Sequence, residues 1–592
     1  METSSLLPLA AVLVPVATAA IIVLTRRIPA VRDASLVVGA VATFAVVAAT
    51  GRMVLAGEVP TTVLGELLPG LEVTLAADGM GMVFAALASF LWVLAGSYAI
   101  GYMRGDNASN QTRFYAFYSL CLSTAFGVAF AGDLLTFFIA YELLTVTTYP
   151  LVTHKGDAKA LAAGRTYLGY LLSGGALVLL AMVIVYASTG TLAFTAGGFV
   201  AGTMGTTLTI VVFLLFAVGF GTKAGLLGLH PWLPGAMVAP TPVSALLHAV
   251  AVVKGGVFAF GRFLGFVMGP AAFAGLDVQQ LLSLFAALTI VVASIIALRQ
   301  DHLKRRLAYS TIAHLAYIVL GFSLLSASGF EGSLLHILNH GVAKITLFFA
   351  AGAIHIAAHK DHVSELDGIG RRMPFTMLAF ALASFSLAGL PPAGGFLSKF
   401  TLVTGALEAE QFLLAGVMVG SGLFTAGYLF PIVYRAFFRP EPGEAPTPAG
   451  PAPAVPATPA TPATAPTAPT ATVAPAGAPA GAPGATAVLT GPGDDRSEVH
   501  AGTGDADADH THDGHADADH DSRHTHDAHD AEGAHDDHDS HHAHADHGEA
   551  AATMVVPIVI TGVLSVVLGL GDWTGLYALA AEVAAAVMGG AP

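Results

Sequence analysis

Apolar runs of about 20 residues recur along nearly the whole chain, the length a helix needs to cross a hydrocarbon core of about 30 Å. The pattern predicts fourteen spans, at approximately 5–25, 34–56, 79–103, 114–131, 134–153, 163–187, 205–228, 242–267, 279–299, 307–327, 333–357, 374–404, 411–438 and 553–571. The first run, Ser5 to Thr25, is followed by Arg26 and Arg27 and is expected to remain as a helix rather than to be a cleaved leader. Residues 440–550 break the pattern. A run of Pro, Ala and Thr (PAPAVPATPATPATAPTAPT) gives way to a tract of His and Asp (HADADHDSRHTHDAHD). Neither can bury enough apolar surface to offset chain entropy, so the segment is expected to be disordered. Residues 572–592 are expected to form a short interfacial helix opened by Trp573.

The expected architecture is an all-α polytopic membrane protein. Helices of residues 1–110 come first, then two five-helix units at 111–268 and 269–439, the 440–550 loop, and a last helix with its tail at 551–592. Composition agrees. Of 592 residues, 55% are hydrophobic and 11% charged, against about a quarter charged in a soluble protein. A large soluble core is excluded. The single cysteine, Cys121, excludes a disulfide within the chain and a thiolate metal cluster. The net charge of −15 belongs to one segment, because residues 491–550 hold 18 acidic residues and two arginines. No flavin, haem or iron–sulfur motif is present, and no cofactor or nucleic-acid partner is expected.

The basic residues suggest an orientation. Loops after spans one, three, five, nine, eleven and thirteen carry 17 of them, whereas the opposite side has Arg52 and Arg262. The positive-inside rule places the rich side in the cytoplasm. In a bacterial-type plasma membrane both termini then face out and the His/Asp loop faces the cytoplasm.

Four lysines, Lys223, Lys254, Lys344 and Lys399, fall inside predicted spans, and Glu142 is the acidic residue deep inside one. An ionisable group at that depth costs several kcal/mol unless paired or hydrated. Snorkelling from a helix end is the plainer explanation for a single lysine, Lys399 above all, but it does not account for five such groups together. His336, His340 and Lys344 recur at i, i+4, i+8 and share a helix face, to which His355 returns. Ser310, His314 and Tyr317 form a second stripe. His248 lies six residues before Lys254, so these two must meet other helices. A lone buried histidine is most often a packing residue; three protonatable groups on one stripe favour a hydrated path or proton relay.

Helix breakers flank two of the lysines. Gly219, Gly221, Gly225, Gly228 and Pro231 surround Lys223, and Pro391, Pro392, Gly394 and Gly395 precede Lys399. A proline kink is ordinary in a membrane helix, but a break beside a buried lysine, twice, is less so. The breaks fall in spans seven and twelve. An offset of five spans makes these helices cross in opposite directions, the geometry of an inverted repeat of spans four to eight and nine to thirteen.

The stretch TKAGLLGLHPWLPGAMVAPTPVSALLHAVAVVKGGVF resembles the signature of the proton-conducting, antiporter-like membrane subunits. That family comprises the large membrane-arm subunits of complex I (the L, M and N type of NADH-quinone oxidoreductase), the A-type and D-type subunits of the Mrp sodium/proton antiporters and related membrane hydrogenase subunits. YELLTVTTYP, RRLAYSTIAHLAYI, LLHILNHGVAKITLFFAAGAI and SLAGLPPAGGFLSKF match further, in order, over spans four to thirteen. The resemblance implies that Glu142 and Lys223 are an ion pair of spans five and seven. It places Lys254 and His248 in span eight, and His336, His340 and Lys344 on the polar axis of span eleven; His314, from the second stripe, is counted in the same proton pathway. Lys399 stands at a span-twelve position that one complex I subunit type fills with glutamate, which argues against that type. Fourteen spans without a long lateral helix argue against the largest type. A protein similar to the D-type Mrp subunit or a complex I relative remains. The 440–550 insertion departs from the family, as does Tyr141, where a Trp often precedes the glutamate.

The implied function is proton translocation within a large membrane complex, possible sodium exchange included. A carboxylate beside a buried lysine favours the ammonium, and losing that charge favours proton release. Protons would pass from Lys223 to Lys254, along the histidines to Lys344 and out at Lys399. The rivals are a redox-driven pump subunit, an assembly subunit with an idle channel, and an inorganic-carbon uptake partner. The loop carries chemistry of a different kind. It has 14 histidines between His500 and His547, and His510, His512, His515, His524 and His526 are candidate ligands for zinc, nickel or copper. Their spacing is irregular and selects no tetrahedral set, so an acidic, pH-sensitive linker is the simpler reading.

Overall fold

A computed structural model describes residues 2–68, 70–441 and 548–589; the expected disorder of 440–550 and the loop histidines His510, His512, His515, His524 and His526 lie outside the described residues, apart from the segment's edges. The described chain is one bundle of 17 helices of nine residues or more. In chain order they are α1 Leu7–Leu24, α2 Pro29–Leu55, α3 Gly79–Gly105, α4 Gln111–Ala129, α5 Leu134–Val152, α6 Ala158–Thr189, α7 Thr206–Ala224, α8 Thr241–Ala249 and α9 Val252–Arg262. They continue as α10 Val278–Arg299, α11 Leu303–Ser323, α12 Ala327–Ala358, α13 Pro374–Ala388, α14 Gly394–Glu408, α15 Phe412–Phe438, α16 Ala552–Val567 and α17 Leu576–Met588. Each predicted span falls on a helix or on a broken pair. Ten of the spans are long and apolar enough to cross a membrane.

Two five-helix stretches repeat one another in outline. The third member of each, α6 and α12, is 32 residues long. The fourth is broken in each: α7 gives way to short turns at Trp232–Gly235 and Ala236–Val238, and α13 to α14. Span eight is broken too, where the apolar pattern predicts one continuous helix. α8 ends at Ala249 and α9 begins at Val252, then passes into a π-helical turn at Phe263–Met268.

The core follows α12, which touches α3, α8, α11, α13, α14, α16 and α17. Span eight is wholly buried, whereas α15 presents Leu413, Leu423 and Phe438 outward, as a lipid-facing helix does. Helix ends are closed locally. Asp78, Asp133 and Asp157 each accept an amide hydrogen from the first turn of α3, α5 and α6. Glu549, just before α16, accepts from the Phe375 and Thr376 amides at the start of α13.

Three findings correct the sequence-based expectations. A small sheet accompanies the helices: β1 (Glu2–Ser4) lies parallel to β2 (Val59–Leu68), which is antiparallel to β3 (Leu71–Ala76). Its sequence, VPTTVLGELLPGLEVTLA, reads as two β-branched runs about a Pro-Gly turn. Helix α2 starts at Pro29, so Arg32 and Asp33 are buried members of it rather than loop residues. Arg262, counted for the side opposite the arginine-rich loops, is not a surface charge. It is buried in α9 and forms a bidentate pair with Asp78. The tail does form a helix, α17. One face is buried on the bundle, and Tyr577 donates to Leu568 O (2.7 Å) and Asn339 Oδ1 (3.2 Å).

Gly256 lets α9 reach the end of α7: a Cβ there would sit 2.5 Å from Ala224 N and 2.7 Å from the Lys223 carbonyl carbon. Backbone cannot yield as a side chain can. Gly256→Val is therefore expected to destabilise the folded protein by on the order of 1–3 kcal/mol. Gly169→Ala, where a Cβ meets nothing within 4 Å, should be neutral. Thermal unfolding of the detergent-solubilised variants checks both; equal melting temperatures would refute the close contact.

Candidate functional site

Helix α7 ends one residue after Lys223, at Ala224, because Gly225 takes a left-handed conformation (φ 72°). Lys223 thus sits in the last turn, where unpaired carbonyls make the helix end negative. Leu226 N donates to Gly221 O, and Trp232 Nε1 donates to Thr222 O at 2.9 Å. Two of the carbonyls freed by the break, those of Gly221 and Thr222, are thus met by groups of the following turn. The Lys223 ammonium donates to Tyr141 O at 2.5 Å, lies 3.2 Å from the centre of the Tyr141 ring and is 4.0 Å from Glu142 Oε1. The ring face attracts the cation. Gly175 of α6 makes room for the Glu142 carboxylate, since a Cβ there would come within 2.6 Å of Oε1. Tyr141, a departure from the family pattern in sequence, is a main support of Lys223 in the structure.

The second break repeats this arrangement. Helix α13 closes on Gly389 (φ 85°), and Lys399, on the second turn of α14, reaches back to Ala388 O at 3.5 Å. Its ammonium lies 5.2 Å from the Tyr317 ring centre. Each break thus offers a helix C-terminus and a tyrosine face to one lysine. Lys399 is 9% exposed, so it is held by the break rather than snorkelling freely.

Between the breaks lies a row of imidazoles. Lys254 Nζ is 2.5 Å from His340 Nδ1. The His340 ring is centred 5.3 Å from that of His314, whose Nδ1 meets His336 Nε2 at 3.1 Å. His336 Nδ1 is 2.9 Å from Ser398 Oγ, the residue before Lys399. Lys344 leaves this row. It donates to Ser310 Oγ (2.6 Å), which donates to Tyr428 OH (2.9 Å), and to Leu307 O (3.2 Å). The expected order, with Lys344 between the histidines and Lys399, is thereby altered: Ser398 joins His336 to the Lys399 turn, and Lys344 is a branch. Ser398 and Tyr428 do not stand out in the sequence; serine and tyrosine in membrane helices are too common to mark a site.

His248 stacks on Phe348, ring centres 4.7 Å apart, and neither of its nitrogens has a hydrogen-bond partner in the structure. Thr241, Ser244 and His248 recur at i, i+3, i+7 and share one face of α8. Thr241 Oγ1 donates to Tyr102 OH at 3.3 Å, and Tyr102 stacks on His355. His355 is not part of the buried row. It is about one-third exposed and bonds Asp361 at 3.0 Å, which holds the Asp361 carboxyl below its ordinary range. Several buried atoms without hydrogen-bond partners lie along this line: Glu142 Oε1, Tyr141 OH, Ser244 Oγ, both nitrogens of His248, His340 Nε2 and His314 Nε2. Such atoms are rarely orphaned in folded proteins, and a polar row of them is where water belongs.

The arrangement lines up protonatable groups, at hydrogen-bond distance except at the ring contact of His340 with His314, inside a low-dielectric bundle. Among the described residues, no set of three His, Cys, Asp or Glu side chains could hold a metal ion.

Comparison with known proteins places this site in a family. Residues 131–425, from just before Glu142 to beyond Lys399, match the family model described as NADH:quinone oxidoreductase/Mrp antiporter, TM. NADH-quinone oxidoreductase subunit N of Desulforudis audaxviator (strain MP104C) is 35% identical, over 64% of this chain and 77% of that protein. Putative antiporter subunit mnhD2 of Staphylococcus aureus (strain MRSA252) is 28% identical, over 62% and 73%. The fold is similar to a chain in the structure of the Mrp complex from Dietzia sp. DQ12-45-1b, with a TM-score of 0.71 at 21% identity over 98% of this chain and 96% of that one. It also resembles a chain of the membrane-bound sulfane sulfur reductase, an archaeal respiratory membrane complex, with a TM-score of 0.66 at 23% identity over 73% and 88%. These relatives and neighbours are subunits of multisubunit membrane complexes. This chain, a polytopic membrane protein with an antiporter-like fold, belongs to the NADH:quinone oxidoreductase/Mrp antiporter transmembrane family.

Proposed function

We propose that this chain is the proton-translocating subunit of a multisubunit cation/proton antiporter, similar to the D-type subunit of Mrp. The observation that carries the reading is the row Lys254–His340–His314–His336–Ser398, hydrogen-bonded at every step but His340–His314, whose ring centres lie 5.3 Å apart, together with two lysines that each lie at a helix break. A structural subunit has no use for so many desolvated protonatable groups, because each costs several kcal/mol to bury.

The proton enters at the arginine-rich end, taken as cytoplasmic, beside His355 and Asp361. Water joins the Tyr102 and Thr241 hydroxyls to Ser244 and His248, whose unpaired atoms accept it. Glu142 sets the charge of Lys223. While the carboxylate faces it, the ammonium is held; when Glu142 is neutralised or turns away, the proton is released towards Lys254. The imidazoles carry it to His336 and the Lys399 turn, which gates the opposite side. Lys344 with Ser310 and Tyr428 forms a side store for charge.

A second reading, a redox-driven pump subunit, draws on the 35% identical relative named NADH-quinone oxidoreductase subunit N. The same row would serve both. Proton flux measured in vesicles with and without a sodium gradient separates them, since only the antiporter responds to sodium.

Glu142→Ala and Lys223→Ala are each expected to abolish proton flux in vesicles while leaving complex assembly intact on native gels. Flux at the parental rate in either would sink the proposal. Tyr141 gives a finer check. Its hydroxyl has no partner whereas its ring carries the ammonium. Tyr141→Phe should retain most of the flux and Tyr141→Leu should lose about threefold or more, as a cation–π contact of about 0.5–2 kcal/mol requires. Equal rates in the two variants would remove the ring from the account.

A further inference from the structure

Away from the proton row, a polar cavity of about 640 Å³ opens at the arginine-rich end, where α1 and α2 meet the start of α4. Three arginines line it, Arg26, Arg32 and Arg113, and no carboxylate does. Two of the three are fixed in place. Arg32 is 8% exposed and is clamped by Asp33 (2.8 Å), Gln111 (2.9 Å) and Thr112 (3.3 Å), with the Tyr115 ring beneath its guanidinium. Asp33 is shared with Arg104 (2.5 Å), so one carboxylate serves two guanidiniums and positive charge is left over. Arg113 donates to His154 O at 2.8 Å. Arg26, by contrast, makes no side-chain hydrogen bond or ion pair among the described residues. The first turn of α4 completes the wall. Its N-cap, Asn110, makes no side-chain cap bond and the turn contains no acidic residue, so this positive helix end is also unneutralised.

The other wall is apolar. Val23, Ala116 and Phe117 line the cavity on the side of the helices, and Val23 faces outward. A second groove, of about 520 Å³ and lined by apolar residues such as Val14, Ile21, Val31 and Val38, runs along α1 and α2 from the same turn. Cationic pocket and apolar groove thus both begin at the α1–α2 turn.

We propose that this cavity is a binding site for an anionic phospholipid, with its phosphate between Arg26, Arg113 and the first turn of α4 and an acyl chain along α1. Charge complementarity selects the lipid: a zwitterionic headgroup brings a cation into a pocket that holds three. Basic pockets between membrane helices recognise anionic headgroups through the same chemistry. Nothing in the proton row takes part, so the site stands whether or not the transport reading does. Its role is to anchor the α1–α2 hairpin, which the Arg32–Asp33–Arg104 cluster ties to α3 and α4.

Native mass spectrometry of the purified, delipidated complex tests this, with phosphatidylglycerol and phosphatidylcholine added in competition. The wild type should retain phosphatidylglycerol in preference by roughly tenfold or more, and Arg26→Gln should reduce that preference by about fivefold, the worth of one arginine near an anionic surface. Arg26→Gln removes no contact within the fold, so its folding is not at issue. Arg26→Gln with Arg113→Gln should abolish the preference, and Arg52→Gln, at the opposite end, should leave it unchanged. Equal retention of the two lipids by the wild type would overturn the proposal. So would an undiminished preference in Arg26→Gln, or displacement of the lipid by millimolar inorganic phosphate, which would mark a site for a free anion.

Discussion

An ammonium group inside a bilayer must find its solvation in the protein, and the architecture follows from that demand. The carbonyls of a continuous helix are spent on its own ladder, and a further donor must share one, as Lys223 shares Tyr141 O of α5 and Lys344 shares Leu307 O of α11. A helix that stops leaves some free. Helix α7 stops at Gly225, one turn from Lys223, and α13 stops at Gly389, where Lys399 reaches the released carbonyl of Ala388; a tyrosine face completes each site. At these two positions the break accompanies the buried charge and the glycines around it are its sequence trace, whereas Lys344 is held within an uninterrupted helix.

Packing serves the same end. Gly256 allows α9 to press on the end of α7, and the same short helix carries the buried Lys254 to His340. Helix α12 runs the length of the core and carries His336, His340 and Lys344 where α8, α11 and α14 surround them. The five-helix outline recurs, and each copy sets one lysine at its broken helix.

Much of this is legible in the sequence. A period near 20 residues marks the spans, and lysines inside apolar runs stand out whatever their partners. Glycine and proline beside Lys223 and Lys399 announce the two breaks. The third break, between Ala249 and Val252, carries no such mark; it falls among alanines and valines. The partners are also beyond reach. Nothing local says that Lys254 meets His340 or that Lys344 turns to Ser310, since these contacts join residues more than thirty positions apart. Arg262 and Arg32 are misplaced for a simpler reason: each lies near the end of a predicted span, where a few residues separate a surface charge from a buried pair. The small sheet has its turn signal, but the apolar runs on either side overshadow it.

Transport along this row requires Lys254 to carry protons between the Lys223 turn and the imidazoles. Lys254→Met keeps the length of the side chain and removes the charge, so the packing of α9 is largely preserved. Relaxation of an imposed pH gradient, followed with an internal pH dye in vesicles that contain the assembled complex, measures the step directly. The account predicts that the gradient persists in Lys254→Met at a complex content equal to the wild type, whereas the wild type dissipates it. Dissipation at the wild-type rate in Lys254→Met would contradict it.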